Sequence, residues 1–190
     1  MAEVDLGPCR GLLREGDRGR SLVLLPGARY PTRAPLLWFA RAAGAQRGWS
    51  TLEVLDQARP NMPPAQWALD RAQRALAAAP GDDPVVVGKS LASAATGLAA
   101  ERGLAAVWLT PLLGEAAVID GLARASEPAL LVGGTADPTW QPAALPQNPM
   151  LESEEVEGAD HGLELHGDVQ GSLEALRTVT ARIGAFLDRL

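Results

Sequence analysis

The stretch Val85-Val86-Val87-Gly88-Lys89-Ser90-Leu91-Ala92-Ser93 decides the fold. Three β-branched apolar residues in a row suit a strand buried on both faces. A glycine ends the run, a serine follows two residues later, and residues 92–100 are rich in small helix formers. Strand, sharp turn and helix place Ser90 at the apex. This is the G-x-S-x-G nucleophile elbow, whose turn pushes the serine hydroxyl out above the sheet. The helix must pass close to the strand two residues after the serine, so a small side chain is needed there. Ala92 stands at that position in place of glycine. The same letters also end like a phosphate-binding loop, G-x-x-x-x-G-K-[ST]. Its first glycine would fall on Asp83. The amides of a valine strand are committed to the sheet and cannot wrap a phosphate, which excludes nucleotide binding.

Working outward, Ser21-Leu22-Val23-Leu24-Leu25 is a second continuous apolar strand, stopped by Pro26-Gly27. Further strands are expected over 49–55, 104–109, 129–132 and 150–156, with helices over 35–43, 64–79, 91–102, 114–125 and 172–190. Residues 56–63 read as a loop. Leu12-Leu13 reads as a short edge strand in an otherwise solvated ribbon that includes Arg10, Arg14, Glu15, Asp17, Arg18 and Arg20 and turns at Gly16 and Gly19. Strand and helix alternate from residue 21 onward. That predicts an α/β fold over 1–190 as one domain: a mostly parallel central sheet with helices on both faces.

In such sheets the site lies at the carboxyl ends of the strands. Ser90 is at one such end. Asp137, in Gly133-Gly134-Thr135-Ala136-Asp137-Pro138, is at another, and His161, in Gly158-Ala159-Asp160-His161-Gly162, follows the next strand. A serine hydroxyl is a poor nucleophile near neutral pH. It needs an imidazole to take its proton and a carboxylate to orient that imidazole. Ser90, Asp137 and His161 are the residues expected to do this, with Asp160 the competing acid and His166 the competing base. The oxyanion needs N–H donors. The Leu91 amide, directly after the nucleophile, and the Ala28 amide, in the loop after the first central strand, are assigned to it. Tyr30, Leu112 and Trp140, with Trp108, are expected to wall the pocket. Arg29 and Arg33 are taken as surface charge. Adjacent side chains diverge at a sharp turn, so a Ser–Lys dyad is disfavoured and Lys89 is expected to be solvated or ion-paired.

The totals narrow the function further. The chain has 190 residues and a net charge of −6, with no basic stripe, which argues against nucleic acid. No apolar run approaches the ~20 residues of a membrane span. Residues 1–10 contain Glu3 and Asp5 and no signal core, so a cytoplasmic location is expected. Two histidines and the single Cys9 offer no metal-ligand spacing, so no metal and no cofactor is expected. The expected partner is a small-molecule ester-type substrate, and the reading allows a homodimer.

Four motifs together carry a family resemblance: Leu24-Leu25-Pro26-Gly27-Ala28-Arg29-Tyr30, Gly88-Lys89-Ser90-Leu91-Ala92-Ser93, Gly134-Thr135-Ala136-Asp137-Pro138 and Ala159-Asp160-His161-Gly162. The sequence resembles the small α/β-hydrolases that lack a lid domain, near the dienelactone-hydrolase-like esterase branch. The order nucleophile, acid, base matches that family. The resemblance implies a Ser-His-Asp hydrolase acting on an ester or similar acyl bond. Dienelactone hydrolases proper carry a cysteine where Ser90 stands. The short stretch Thr110-Pro111-Leu112-Leu113-Gly114 leaves no room for a lid and implies small, short-acyl substrates.

Overall fold

The computed structural model describes residues 1–17, 19–55 and 61–190. Arg18 and most of the loop expected over 56–63 lie outside the described residues. The strands are β1 (Ala2–Asp5), β2 (Arg10–Arg14), β3 (Ser21–Leu25), β4 (Ser50–Val54), β5 (Val85–Lys89), β6 (Ala106–Leu109), β7 (Ala129–Gly134) and β8 (Leu151–Val156). The helices are α1 (Pro35–Gln46), α2 (Pro64–Ala78), α3 (Thr96–Glu101), α4 (Ala116–Ala123) and α5 (Val169–Leu187). The eight strands form one sheet in the order β1-β2-β4-β3-β5-β6-β7-β8. It is parallel from β4 through β8, while β1 and β2 run antiparallel.

Alternation along each strand divides the core in two. Val23, Leu25, Leu52, Val86, Trp108 and Leu131 point to one face and pack with residues of α2, α3 and α4. Leu22, Leu24, Val85, Val87, Val107 and Leu130 point to the other, against α1 and α5. Full burial of each such large side chain stabilises the fold by about 1.5–3 kcal/mol. This two-sided burial is why β3 and β5 read as unbroken apolar runs.

Three details differ from the sequence reading. The first fourteen residues form a β1–β2 hairpin, so Leu12-Leu13 belongs to an inner strand and β1 is the edge. Glu3 and Asp5 face solvent on that edge, and their charge hid the strand from an apolar-pattern search. The turn after Ser90 begins as a 3₁₀ segment, Ser90–Ala95, before α3 takes over. Helix α5 starts at Val169, where the Asp168 carboxylate caps it by accepting from the Gly171 N–H at 2.8 Å. Among the described residues no helix is long and apolar enough to cross a membrane.

Candidate active site

Ser90 follows the last residue of β5 with φ of 52°, in the left-handed region. A non-glycine residue there costs ~1–3 kcal/mol and persists only where the surroundings enforce it. The enforcement is visible at Gly88. A Cβ at that position would lie 2.6 Å and 2.8 Å from ring atoms of Trp108 and 3.1 Å from the Ala92 Cβ. The strand and the segment after the elbow can approach this closely only with glycine at 88 and a small residue at 92. Alanine is small enough.

The other two loops are drawn together by a second pair of glycines. A Cβ at Gly133 would sit 2.0 Å from the Trp140 ring, and one at Gly134 would sit 2.1 Å from the Ala159 carbonyl oxygen. Trp140 therefore folds back over β7, and the loop carrying His161 rests on the end of that strand. His161 Nε2 lies 2.7 Å from Ser90 Oγ, and His161 Nδ1 lies 2.7 Å from Asp137 Oδ2. The Asp137 side chain is fully buried, whereas that of His161 is 40% exposed. The acid end is dry and the serine end is open.

Asp137 is fixed by its own turn. Its Oδ1 accepts from the Thr139 N–H at 2.9 Å and from the Thr139 hydroxyl at 2.8 Å. Thr139 Oγ1 is also 3.1 Å from His161 Nδ1. Thr139 was not among the expected residues, although Asp followed by Thr two residues later is the signal of an Asx turn. The competing carboxylate is occupied elsewhere: Asp160 Oδ1 accepts from the Gly162 and Glu164 amides at 2.7 Å and 3.1 Å. His166 lines a neighbouring cavity instead.

The cleft over Ser90 has a volume of about 290 Å³ and is lined by Gly27, Ala28, Tyr30, Lys89 and His161, with Arg29 at its rim. Gly27 closes a turn, its N–H donating to the Tyr30 carbonyl at 2.9 Å. A Cβ there would meet the Lys89 carbonyl oxygen at 3.3 Å, so glycine lets this loop lie against the end of β5. The Tyr30 hydroxyl accepts from the Leu36 N–H at 2.9 Å. Burial pushes the Tyr30 phenol up to about 12. A larger cavity of about 410 Å³ adjoins the cleft through Tyr30 and Gly162, with Leu36, Leu163 and Leu173 in its wall.

The remaining expected wall residues lie elsewhere. Trp140 is buried, its indole N–H donating to Glu155 Oε1 at 2.8 Å, on the far side of the Asp137 turn. Trp108 is buried beneath Gly88. Leu112 packs with Met62, Trp67 and Leu91 beside the elbow. Lys89 corrects the expectation of a solvated or ion-paired side chain. It is 1% exposed. Its ammonium donates to Thr110 Oγ1 and to the His161 carbonyl oxygen at 2.8 Å, and it lies 5.1 Å from the centre of the Tyr30 ring. Its partners are neutral oxygens and a ring face. As the last residue of β5 it lies beneath the neighbouring strand-end loops, at the floor of the cleft.

No family model and no curated protein matches the sequence. Solved structures do. Est1E from Butyrivibrio proteoclasticus, with ferulic acid bound, superposes with a TM-score of 0.77 at 15% identity, over 100% of this chain and 98% of that one. A dienelactone hydrolase from Anabaena variabilis gives 0.76 at 18% identity, over 99% and 95%. The Pyrococcus furiosus esterase Pf2001 gives 0.70 at 13% identity, over 95% and 87%.

The fold is that of the α/β-hydrolases. Within that fold this chain is compact: residues 110–115 alone connect β6 to α4. The α/β-hydrolase sheet carries Ser90, Asp137 and His161 on loops after β5, β7 and β8, in the chain order read from the sequence.

Proposed function

We propose that this protein is a serine hydrolase that cleaves a small ester or thioester through an acyl-enzyme intermediate. The observation that carries the reading is the hydrogen-bonded chain from Ser90 through His161 to Asp137, with both links at 2.7 Å. His161 Nε2 takes the Ser90 proton as Oγ attacks the acyl carbon. The buried Asp137 carboxylate holds the Nδ1–H tautomer and balances the imidazolium that forms. The tetrahedral oxyanion is held by the amides of Leu91 and Ala28. The imidazolium then protonates the departing alkoxide or thiolate. In the second half the same imidazole takes a proton from water, the resulting hydroxide attacks the acyl carbon, and the acid leaves as Ser90 regains its proton.

The half-exposed face of His161 supports water as the acceptor. The small cleft supports a short acyl group, with the adjoining apolar cavity beside Leu36 and Leu163 available to the rest of the ester. The test is a fluorophosphonate probe. One adduct per chain on Ser90 is expected, and none in Ser90→Ala. Undiminished labelling of Ser90→Ala would place the reactive nucleophile elsewhere, and no labelling together with no turnover of any acyl ester would leave a binding protein on a hydrolase fold.

A further inference from the structure

Lys89 is the one lysine in the sequence, and the reaction written above gives it no step. It is buried, and its surroundings come from three other places in the chain. It ends β5, one residue before the nucleophile. Thr110, directly after β6 and itself at φ of 44°, accepts from it. Tyr30, in the loop after β3, covers it with a ring face. The loop after β8 presents the His161 carbonyl to it at 2.8 Å. The charged groups that act on it are Asp137 and Asp160. Tyr30, His161 and Arg29 are the other titratable residues that line the cleft with it.

We infer that Lys89 is a positioning residue: its ammonium, seated between Thr110 and the Tyr30 ring, holds the backbone of His161 so that the imidazole stays in line with Ser90. This rests on the hydrolase reading of the site. The loop 157–168 is anchored to the strand end through Gly134, yet the backbone carbonyl of the base itself is tied to protein by Lys89. An ionised donor makes a bond roughly twice as strong as a neutral one, and small displacements of a catalytic group are expensive, with ~1 Å costing about a hundredfold in rate.

The charge of the ammonium is not there for stability. Burial pushes the Lys89 pKa down to about 8, with Asp137 and Asp160 opposing the shift. The folded value lies below the unfolded one, so between them the unfolded chain binds more protons and stability rises with pH. Below that window the charge is carried at a cost to the fold. A buried cation whose ammonium reaches Thr110, the Tyr30 ring and the backbone of the base is explained by what it holds.

A single lysine makes the experiment direct. With ¹³C-lysine incorporated, the side-chain carbon next to the amine gives one resonance, whose titration follows Lys89 alone. Its midpoint is expected near about 8, and kcat on a chromogenic short-chain ester is expected to fall through the same pH range. Lys89→Met should lower kcat by ~10–100-fold with KM changed by less than about twofold, and should lack the alkaline fall. Its melting temperature at neutral pH should equal or exceed that of the parent. Thr110→Val removes one acceptor from the ammonium and should move both the titration and the alkaline fall to lower pH, which keeps the test open if Lys89→Met does not fold. A folded Lys89→Met with the parent's kcat and alkaline fall would overturn the inference while leaving the hydrolase reading intact. Absence of any Ser90-dependent turnover in the parent would instead break the hydrolase reading itself.

Discussion

The two ends of the parallel sheet turn the chain with different residues. Where the chain enters β3, β4, β5 and β6, the positive backbone angles fall on Gly19, Gly48, Gly81 and Gly103, at φ of 67°, 72°, 85° and 59°. Where it leaves the strands, glycine takes this conformation at Gly158 after β8, at 70°, and side-chain-bearing residues take it at Ser90 after β5, Thr110 after β6 and Leu163 in the loop after β8, at 52°, 44° and 59°. Glycine adopts that conformation at no steric cost, and other residues do not. Strain is thus gathered at one rim, together with the buried polar side chains Lys89, Thr110 and Asp137. Size does not separate the ends. The entry end has a cavity of about 430 Å³, lined by Arg20, Asp82, Asp83 and Glu127, and it is no smaller than the one beside Ser90. What separates them is a serine hydroxyl held 2.7 Å from an imidazole, on a residue at positive φ.

The contrast can be broken most severely through the base. His161→Ala should lower kcat by ~10⁴–10⁶-fold, since members of such a chain act as a unit. His166→Ala, in the cavity next door, should change it by less than about tenfold. Steady-state kinetics on one ester decides this, and the reverse ranking would move the site away from Ser90.

A smaller effect separates close packing from backbone angle. Gly88→Ala drives a methyl into the Trp108 ring and should destabilise the fold by ~1–3 kcal/mol. Gly103→Ala meets nothing nearer than the Ser126 hydroxyl at 3.9 Å. It should lose about 1 kcal/mol, the cost of the angle alone. Denaturant midpoints at constant slope would show both, and equal losses would mean that the elbow is not tightly packed.

A small change in stability tests the strain directly. Ser90→Gly should abolish turnover and raise stability by about 1 kcal/mol, because the position no longer holds a side chain at positive φ. A variant no more stable than the parent would show that Ser90 sits there without cost.

The parts of the fold that depend on burial were legible in the residues. Continuous apolar runs at 21–25 and 85–87 can only be strands covered on both faces, and helices of the right length between them leave a parallel sheet as the arrangement. The edge strand β1 was not legible, because Glu3 and Asp5 carry the pattern of a solvated ribbon. Ser90, Asp137 and His161, which the structure brings together, could be singled out because turn chemistry at a strand end is written locally, in Gly88, Gly133-Gly134 and Gly158. Thr139 was within reach of the same logic through its spacing from Asp137.

Residues alone determined which side chains stand at strand ends and in what order, since a strand, a glycine and a polar residue are neighbours in the chain. Tertiary structure decided which of them meet. Asp137 rather than Asp160 faces the imidazole because Asp160 is used by the amides of its own loop. Trp140 turns inward because Gly133 leaves room for its ring. Lys89 is buried because strands distant in sequence bring Tyr30, Thr110 and His161 around it. Local conformation is set by each residue's own sterics and hydrogen bonds. Partnership across 72 residues, as between Lys89 and His161, depends on the packing of the whole sheet.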